Sequence, residues 1–497
     1  MNKQKSASLT DRTVVGFTWL FSSSLIQNVL RVSVTVILAR LLTPEDFGIV
    51  GAALVVIGIS NVFTNLGLTQ ALVQIPNLEV GHQRASLFVS FLLGWTIFGL
   101  LQYQSSTIED FFRINGLAII VEFLAWTFPI LAIGAVAEAR LARDLEYKRI
   151  SIIELIAYLL GYGVLGVILA ISGFGIWSLL YAYMSRVIVV TLLYQFLRPS
   201  FSILPFELSK LRPLLKFGAG FSIARVGNFT ANQLDSVIVG RYLGAEALGL
   251  YGRATQFIKL PTNILGTVID RALFPAMASV QSEHAKISRA FHTAVGLIAL
   301  VAFPISIMAF LLAERLVLIL LGSNWIELTP VFKVLSMIIF FKAGYKVSDS
   351  LSRALGAVYR RAWRQWIFAG AVAFGAYIGH FWGLVGVAYG VAFAVFLNFI
   401  LMTSLSILVL KVSFKLVLYI VLKHILISCV VILPIYGLYS EILDGKSEVT
   451  FVALFALSVA FTYLLILVRF SKRIGEETVF LRKIVKRMNE KNAKNKN

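Results

Sequence analysis

Residues 37–53 read ILARLLTPEDFGIVGAA, and they align without a gap on residues 238–254, which read IVGRYLGAEALGLYGRA. Each stretch contains the end of one apolar segment, a short polar turn and the start of the next. The identical positions are Ile37/Ile238, Arg40/Arg241, Leu42/Leu243, Glu45/Glu246, Gly48/Gly249, Gly51/Gly252 and Ala53/Ala254. A looser match pairs GFGIWSLLYA, from Gly173, with the stretch between Gly383 and Gly390. The chain therefore repeats itself at an offset of 201 residues.

The composition places these repeats in a membrane. Of the 497 residues, 58% are hydrophobic and only 14% are charged, whereas soluble domains carry roughly 25% charged residues. The mean hydropathy is +0.84, and no polar stretch is long enough to form a soluble domain. The composition therefore predicts an all-α integral membrane protein.

Fourteen apolar segments have the length of about 20 residues that a membrane-spanning helix needs. They cover 14–39, 47–74, 86–104, 115–137, 150–171, 175–197, 213–240, 247–271, 289–313, 326–347, 363–381, 383–410, 416–440 and 449–470. Each repeat contains six of them, and because six is even, the two copies have the same orientation, as in parallel-repeat transporters. The predicted domains are an N-lobe of residues 1–197 with helices 1–6, a C-lobe of residues 213–411 with helices 7–12, two further helices within 412–470, and a basic tail at 471–497.

Lysine and arginine alternate between successive loops. One set of loops carries most of them, while the alternate loops hold only Arg40, Arg113, Arg241, Arg315 and Lys446. Cytoplasmic loops are enriched in these residues, so both termini are predicted to be cytoplasmic in a multi-pass protein of the cell inner membrane. The net charge of +20 comes from basic residues that lie between apolar segments, where they orient the protein in the membrane, and in the tail, where they attract anionic lipids. We therefore expect no nucleic-acid partner.

Polar side chains recur at helical spacing inside several of the apolar segments. Ionisable residues within a membrane are costly and usually mark a substrate pathway, so we expect these residues to line a substrate cavity with a cationic bias. The predicted cavity residues are Asn28, Arg31, Asn61, Asn65, Arg225, Asn228, Asn232, Asp235, Arg253, Gln256 and Lys342. The alternative is that the charges pair with one another and only hold the helices together.

The sequence contains no pattern typical of catalysis or of metal binding. The five histidines are scattered, Cys429 is the single cysteine, and no phosphate-binding loop, zinc motif or nucleophile elbow is present. We therefore expect no catalytic residues, metal or cofactor. Glu122 and Asp235 are candidate proton carriers, whereas Glu154 is expected to be solvated at a cytoplasmic helix end.

The chain resembles the polysaccharide transporter (WzxC-like flippase) family of the multidrug/oligosaccharidyl-lipid/polysaccharide exporter superfamily. The residues that carry the resemblance are ARLLTPEDFGIVGAA from Ala39, NLGLTQALVQ from Asn65, and GLYGRATQFIKLPTNILGTVIDRALFPAMASVQ from Gly249. The resemblance implies fourteen helices in a V-shaped two-lobed bundle and the flipping of undecaprenyl-diphosphate-linked oligosaccharides for exopolysaccharide, capsule or O-antigen synthesis. It also implies a polysaccharide polymerase and a chain-length regulator as partners.

Three other functions are weighed against this one. A multidrug or cation antiporter of the same superfamily would need an acidic cavity, whereas arginine predominates among the predicted residues. A membrane polymerase or ligase would need a large external loop, which the chain lacks. A lipid II flippase is the nearest alternative. The sequence leaves open the sugar, the pathway, the oligomeric state, and whether transport is coupled to protons or sodium or runs downhill.

Overall fold

The computed structural model describes residues 26–65, 67–200, 208–269, 277, 283–410, 413–442 and 447–474. Over these residues the chain is helical and contains no strand. It divides into two compact units, Met1–Gly252 and Arg253–Asn497. The lobe boundaries predicted above follow the sequence repeat rather than compactness, and they stay a prediction.

The first unit consists of helices joined by short turns. They are α1 (26–41), α2 (Pro44–Asn65), α3 (Leu68–Gln74), α4 (Val80–Phe112), α5 (Leu117–Ala125), α6 (Thr127–Arg143), α7 (Tyr147–Tyr158), a π-helical segment (Leu159–Gly166), α8 (Val167–Ile171), α9 (Ile176–Leu197) and the first part of α10 (Leu208–Val268). The helical segment α10 is broken at Gly244, whose φ is 85°, and it continues into the second unit. Within the first unit α6 packs against α3, α4 and α9.

The second unit continues with longer hairpins. Its elements after α10 are α11 (His284–Leu311), α12 (Ala313–Leu320), a 3₁₀ turn (Ser323–Leu328), α13 (Thr329–Ser336), α14 (Ile339–Ala354), α15 (Val358–Gly379), a 3₁₀ turn (His380–Trp382), α16 (Gly383–Leu410), α17 (Phe414–Ile442) and α18 (Glu448–Ile474). Here α11 packs against α14 and α17, and α15 packs along α16. An aromatic cluster that includes Phe451 and Phe455 fixes α18 on α17.

Nine helical segments within the described residues are long and apolar enough to cross a membrane. The longest, Tyr359–Leu410, contains both α15 and α16. This confirms the prediction of an all-helical, multi-pass membrane protein, whereas the count of fourteen stays a prediction. The predicted segment 14–39 lies partly outside the described residues, and the segment 326–347 is interrupted between α13 and α14.

Two turns that the looser repeat match pairs have a similar unusual backbone. Gly175 precedes α9 with φ 53° and ψ −132°, and Gly383 begins α16 with φ 72° and ψ −162°. Only glycine adopts this region at low cost, because a Cβ would clash with the backbone. The backbone conformation of the turn therefore explains why glycine occurs at the matching position of both copies.

The identical glycines of the first repeat match pack against each other. A Cβ placed on Gly48 would lie 1.7 Å from the carbonyl oxygen of Ala245, and a Cβ placed on Gly249 would lie 1.8 Å from the carbonyl oxygen of Pro44. Ala245 is the counterpart of Pro44 in the repeat. The contact is thus reciprocal, as in a two-fold interface where residue i meets j and j meets i. It brings the starts of two equivalent helices together backbone to backbone, which requires residues without side chains.

Replacing Gly249 with alanine should destabilise the protein. The added methyl group has no space and forces the two helix starts apart, which typically costs about 1–3 kcal/mol. Gly252→Ala is the matched control, because a Cβ at Gly252 meets nothing within 4 Å and such a change usually stabilises by about 0.4–1 kcal/mol. In thermal unfolding in detergent, the midpoint should be lowered for Gly249→Ala alone. Equal midpoints for the two variants would contradict the contact.

Candidate functional site

Arg31 is one of the residues predicted to line the cavity from the first helix. Its side chain is exposed, and its guanidinium carbon lies 5.8 Å from the centre of the Tyr158 ring. Tyr158 in turn stacks on Tyr162, with the ring centroids 5.1 Å apart. In such a contact the positive charge of the guanidinium is attracted to the face of the ring, and the N–H donors are not engaged. The donors of Arg31 therefore remain suited to an anionic ligand.

The residues beneath Arg31 were missed by the sequence analysis. Tyr158 ends α7, and the π-helical segment Leu159–Gly166 begins at the next residue. A π-helical segment inside a longer helix often occurs at a functional site. The signal in the sequence was weak, because Tyr158 and Tyr162 read as ordinary apolar positions of a spanning helix.

The asparagines predicted on the first two helices differ in what the structure shows. Asn28 and Asn61 are half-buried, and Asn61 makes polar contacts within the protein. The backbone of Asn65 ends α2, but its side chain lies outside the described residues. The structure therefore brings Arg31 onto an aromatic pair and leaves the role of these amides a prediction.

The stripe predicted on the seventh segment lies on α10. The side chains of Arg225 and Asn228 are outside the described residues, so their placement in a cavity stays a prediction. Asn232 is exposed and takes part in polar contacts. Asp235 is half-buried and accepts a hydrogen bond from the hydroxyl of Tyr251 at 2.8 Å. Tyr251 is fully buried.

The two copies of the repeat do not carry these polar groups at equivalent positions. At the offset of 201 residues, Asp235 corresponds to Val34 and Tyr251 corresponds to Val50. Both valines are buried. Arg31 corresponds to Asn232. The second copy thus places a hydrogen-bonded polar pair where the first has two apolar side chains, so the predicted stripes differ in charge between the copies.

The predicted residues of the second unit are Arg253, Gln256 and Lys342, which are all half-buried and all make contacts within the protein. Lys342 begins a polar stripe on α14 that continues one turn further with Lys346. The Lys346 ammonium lies against Gly266 of α10, 2.1 Å from where a Cβ would stand. The sequence analysis missed Lys346, although its spacing of four residues from Lys342 was visible.

An acidic residue follows on the same helix. Asp349 is 9% exposed, and it forms ion pairs with Arg353, at 3.2 Å, and with Arg361 of α15. The carboxylate lies between two guanidinium groups, so this cluster remains positively charged. The sequence analysis assigned both arginines only to membrane orientation.

Several other arginines also have structural partners. Arg143 donates to the carbonyl oxygens of Leu72 at 2.9 Å and Pro76 at 2.8 Å, where α3 ends, and Arg241 donates to the carbonyl of Asp110 at 2.9 Å, near the end of α4. Carbonyls at helix C-termini lack backbone partners and attract cations. These arginines therefore stabilise helix ends.

The acidic residues in or near the spanning helices also have partners. Glu154 pairs with Arg186 at 2.7 Å and is 32% exposed, so an ion pair adds to the solvation expected for Glu154 at a helix end. Glu122 accepts a hydrogen bond from the hydroxyl of Ser105 at 2.6 Å. Outside the spans, Lys210 donates to Glu79 at 2.6 Å, and this hydrogen bond together with the charge of Lys210 lowers the pKa of the Glu79 carboxyl.

The side chains that the structure brings together are suited to binding a ligand. Over the part of the chain that the structure describes, no three His, Cys, Asp or Glu side chains group as metal ligands. The chemistry on display is that of guanidinium donors, ring faces and amides, which suits phosphate oxygens and sugar hydroxyls.

Comparison with known families assigns the chain. The family described as polysaccharide biosynthesis protein matches residues 37–353, well over half of the sequence. The chain belongs to the polysaccharide biosynthesis protein family. This range contains the Gly48–Gly249 contact, Arg31's partner Tyr158 and the Asp235–Tyr251 pair. The resemblance inferred from the sequence is thereby confirmed.

This polysaccharide biosynthesis protein is similar to named transport and biosynthesis proteins. It is 29% identical over 308 residues to the succinoglycan biosynthesis transport protein ExoT of Rhizobium meliloti (strain 1021), an alignment covering 61% of each chain. It is 24% identical over 412 residues to the lipopolysaccharide biosynthesis protein WzxC of Escherichia coli (strain K12), covering 79% of this chain and 80% of that one. These names describe no enzyme, in agreement with the expectation from the sequence.

Two solved structures show the fold of this family member. The lipid II flippase MurJ in an inward closed conformation superposes with a TM-score of 0.72, 13% identity, and coverage of 94% of this chain and 99% of that one. An inward-facing multidrug resistance MATE family transporter of the MOP superfamily gives 0.64, 17% identity, and coverage of 78% and 95%. At these identities the likeness concerns the fold alone.

Tyr251→Phe should destabilise this polysaccharide biosynthesis protein. Without the hydroxyl, the Asp235 carboxylate loses a donor in a buried setting, which costs about 1.5–3 kcal/mol for a hydrogen bond to a charged group. The control is Tyr103→Phe, since Tyr103 is 85% exposed. Thermal unfolding should show a lower midpoint for Tyr251→Phe only. When Tyr251→Phe is combined with Asp235→Asn, the loss of stability should be smaller than the sum of the losses from the two single variants. A loss equal to that sum would contradict an interaction between the two side chains.

Proposed function

We propose that the chain translocates undecaprenyl-diphosphate-linked oligosaccharide repeat units across the cell inner membrane by alternating access, for the synthesis of an exopolysaccharide, capsule or O-antigen. Family membership over residues 37–353 and the names of the relatives ExoT and WzxC support this class of substrate. The alignment covers 61% of ExoT, so the activity named for that protein enters here as a proposal.

The observation that carries the proposal is the position of Arg31. It is an exposed guanidinium at a segment we predict to span the membrane, and its contact is with the ring of Tyr158. A charge at such a place is expensive unless it serves a ligand or a polar pathway. A diphosphate matches it, because arginine donates two parallel hydrogen bonds to phosphate oxygens.

The remaining predictions belong to the same proposal. We propose fourteen spanning helices, cytoplasmic termini, two parallel six-helix repeats and the cavity set predicted above. Amide side chains in that set, such as Asn28 and Gln256, would suit the hydroxyl groups of the glycan. A polymerase and a chain-length regulator are proposed partners, since a flipped repeat unit must be consumed on the far side of the membrane.

A cation antiporter and a lipid II flippase are the alternatives. The antiporter needs a predominantly acidic cavity, whereas arginine and lysine predominate in the predicted cavity set, in which Asp235 is the one carboxylate. The likeness to MurJ concerns the fold alone, while the family match favours a polysaccharide precursor.

Arg31→Ala should reduce polymer export in a deletion strain complemented at matched protein levels. Losing a charge-assisted contact costs about 1.5–3 kcal/mol, or roughly a tenfold to hundredfold weaker interaction. Arg31→Lys should be impaired to an intermediate degree, because lysine keeps the charge and loses the bidentate geometry.

The control for this experiment is Arg149→Ala. Arg149 is exposed and pairs with the neighbouring Glu146 at 2.8 Å, so its loss should leave export unchanged. Normal export from Arg31→Ala would eliminate Arg31 as a substrate contact, and equal losses from both variants would show a general effect of removing charge.

A further inference from the structure

Helices α15 and α16 form a hairpin whose crossing is made of backbone. Gly375 faces Gly390 and Gly379 faces Gly386, and a Cβ on any of the four would lie within 2.6 Å of a carbonyl oxygen of the facing helix. On each helix the two glycines are four residues apart, which is the spacing that lets membrane helices approach most closely. The two helices are therefore packed backbone to backbone at the crossing, with no side chains between them.

The exposed face of this crossing is a groove. It has a volume of about 740 Å³. Its floor is the four glycines, and its walls are large exposed side chains: Phe374 at 67%, Trp382 at 72% and Phe393 at 65%. The lining is apolar and aromatic, apart from the hydroxyl of Tyr389. A flexible apolar chain is the ligand that such a trough accepts.

The other end of the hairpin is basic and aromatic. The Arg364 guanidinium donates from Nε to the carbonyl of Leu401 at 3.0 Å and from Nη1 to the carbonyl of Arg360 at 2.7 Å. These bonds fix it where α15 meets α16. Arg360 is exposed one turn away, whereas Arg361 between them is bound to Asp349. Two like charges four residues apart repel each other, and an anion between them would remove the repulsion.

Exposed aromatic side chains surround these two arginines. Tyr359 is 92% exposed, Trp363 57% and Trp366 65%. Tryptophan and tyrosine concentrate at the membrane–water interface, so this end of α15 lies at headgroup level. The topology predicted from the loops makes it the cytoplasmic side.

The length of the hairpin decides which lipid fits. The groove begins at Ala371, about 10 Å along the helix from Arg364, and ends at Trp382, about 27 Å away at 1.5 Å per residue. The hydrocarbon core is about 30 Å thick and the headgroup layers bring the bilayer to about 40–45 Å, so a phospholipid with its phosphate at Arg364 ends after roughly 20 Å. The far end of the groove, at Trp382, lies beyond that point. Only a chain longer than one leaflet can join the arginines to the far end.

We propose that the exposed face of α15 and α16 holds a polyprenyl diphosphate, with the diphosphate on Arg360 and Arg364 and the isoprenoid chain in the glycine-floored groove. This inference rests on the proposed function, and it names where the lipid carrier of the substrate is held. The site is separate from the residues predicted to bind the diphosphate and the glycan during translocation. At this site the isoprenoid chain stays in apolar surroundings and does not have to enter a polar pathway, where its apolar surface would be unfavourable.

The test is binding of lipids to the purified full-length protein in detergent, measured by native mass spectrometry. The probes are undecaprenyl diphosphate, farnesyl diphosphate, which has the same headgroup and a chain too short to reach Trp382, and phosphatidylglycerol. Undecaprenyl diphosphate should bind at least tenfold more tightly than either of the others. Equal binding of phosphatidylglycerol would mean a general lipid surface and would overturn the proposal.

Two pairs of variants locate the site. Arg360→Gln should weaken binding of undecaprenyl diphosphate about tenfold, whereas Lys415→Gln, an exposed basic residue beside a second apolar groove that includes Phe414 and Leu418, should not. Ala371→Leu narrows the groove and should also weaken binding, whereas Gly370→Leu points into open space and should not. A loss with Lys415→Gln alone would place the lipid in the second groove and overturn the proposal.

Because undecaprenyl diphosphate carries no glycan, its binding tests the lipid site separately from the proposed function. If Arg360→Gln and Ala371→Leu bind like the unaltered protein while the strain still exports polymer, the lipid site is wrong and the function stands. If undecaprenyl diphosphate binds with the expected pattern while deletion of the protein leaves polymer export unchanged, the lipid site stands and the proposed function is wrong. Unfolding midpoints of the four variants should match, since all four positions are exposed or half-buried.

Discussion

Hydrocarbon offers no hydrogen-bond partner to the polypeptide backbone, and this constraint governs every feature of the chain. Each backbone polar group in the bilayer must find its partner within the protein, and a helix provides these partners within the spanning segment itself. Helices in lipid gain little from apolar side chains alone, and close backbone approach becomes the main source of packing energy. The reciprocal contact of Gly48 and Gly249 and the glycine crossing of α15 and α16 both follow from this.

The same constraint explains where the charges lie. A cation near hydrocarbon needs a carbonyl, a carboxylate or a ligand, and the arginines divide accordingly. Arg143 and Arg241 bind the carbonyls near helix ends, and Arg186 and Arg361 bind carboxylates. Arg31 and Arg360 are among the exposed arginines. We assign phosphate chemistry to both, to Arg31 for translocation and to Arg360, together with Arg364, for holding the lipid carrier.

The features that the sequence could predict are those that recur along it, namely the apolar segments and the internal repeat. Hydropathy indicates the helical membrane class, and the identity of Gly48 with Gly249 indicates that two equivalent turns exist. It does not indicate that they meet, because contact depends on the path of the chain between them. The same holds for Arg143 and Arg241, whose carbonyl partners lie 71 and 131 residues away. Lys346 could have been found from its spacing to Lys342, whereas the stack of Tyr158 beneath Arg31 requires the packing of α1 on α7.

Translocation of a lipid-linked oligosaccharide by the chain itself can be measured directly in vesicles. The purified protein would be reconstituted with undecaprenyl-diphosphate-linked oligosaccharide confined to the inner leaflet, and a glycosidase added outside would report the glycans that cross. Our interpretation predicts cleavage of most of the glycan only in vesicles that contain the protein, with a slower rate for the Arg31→Ala protein. Glycans that stay protected while the same vesicles expel a cationic dye would contradict it and identify an antiporter instead.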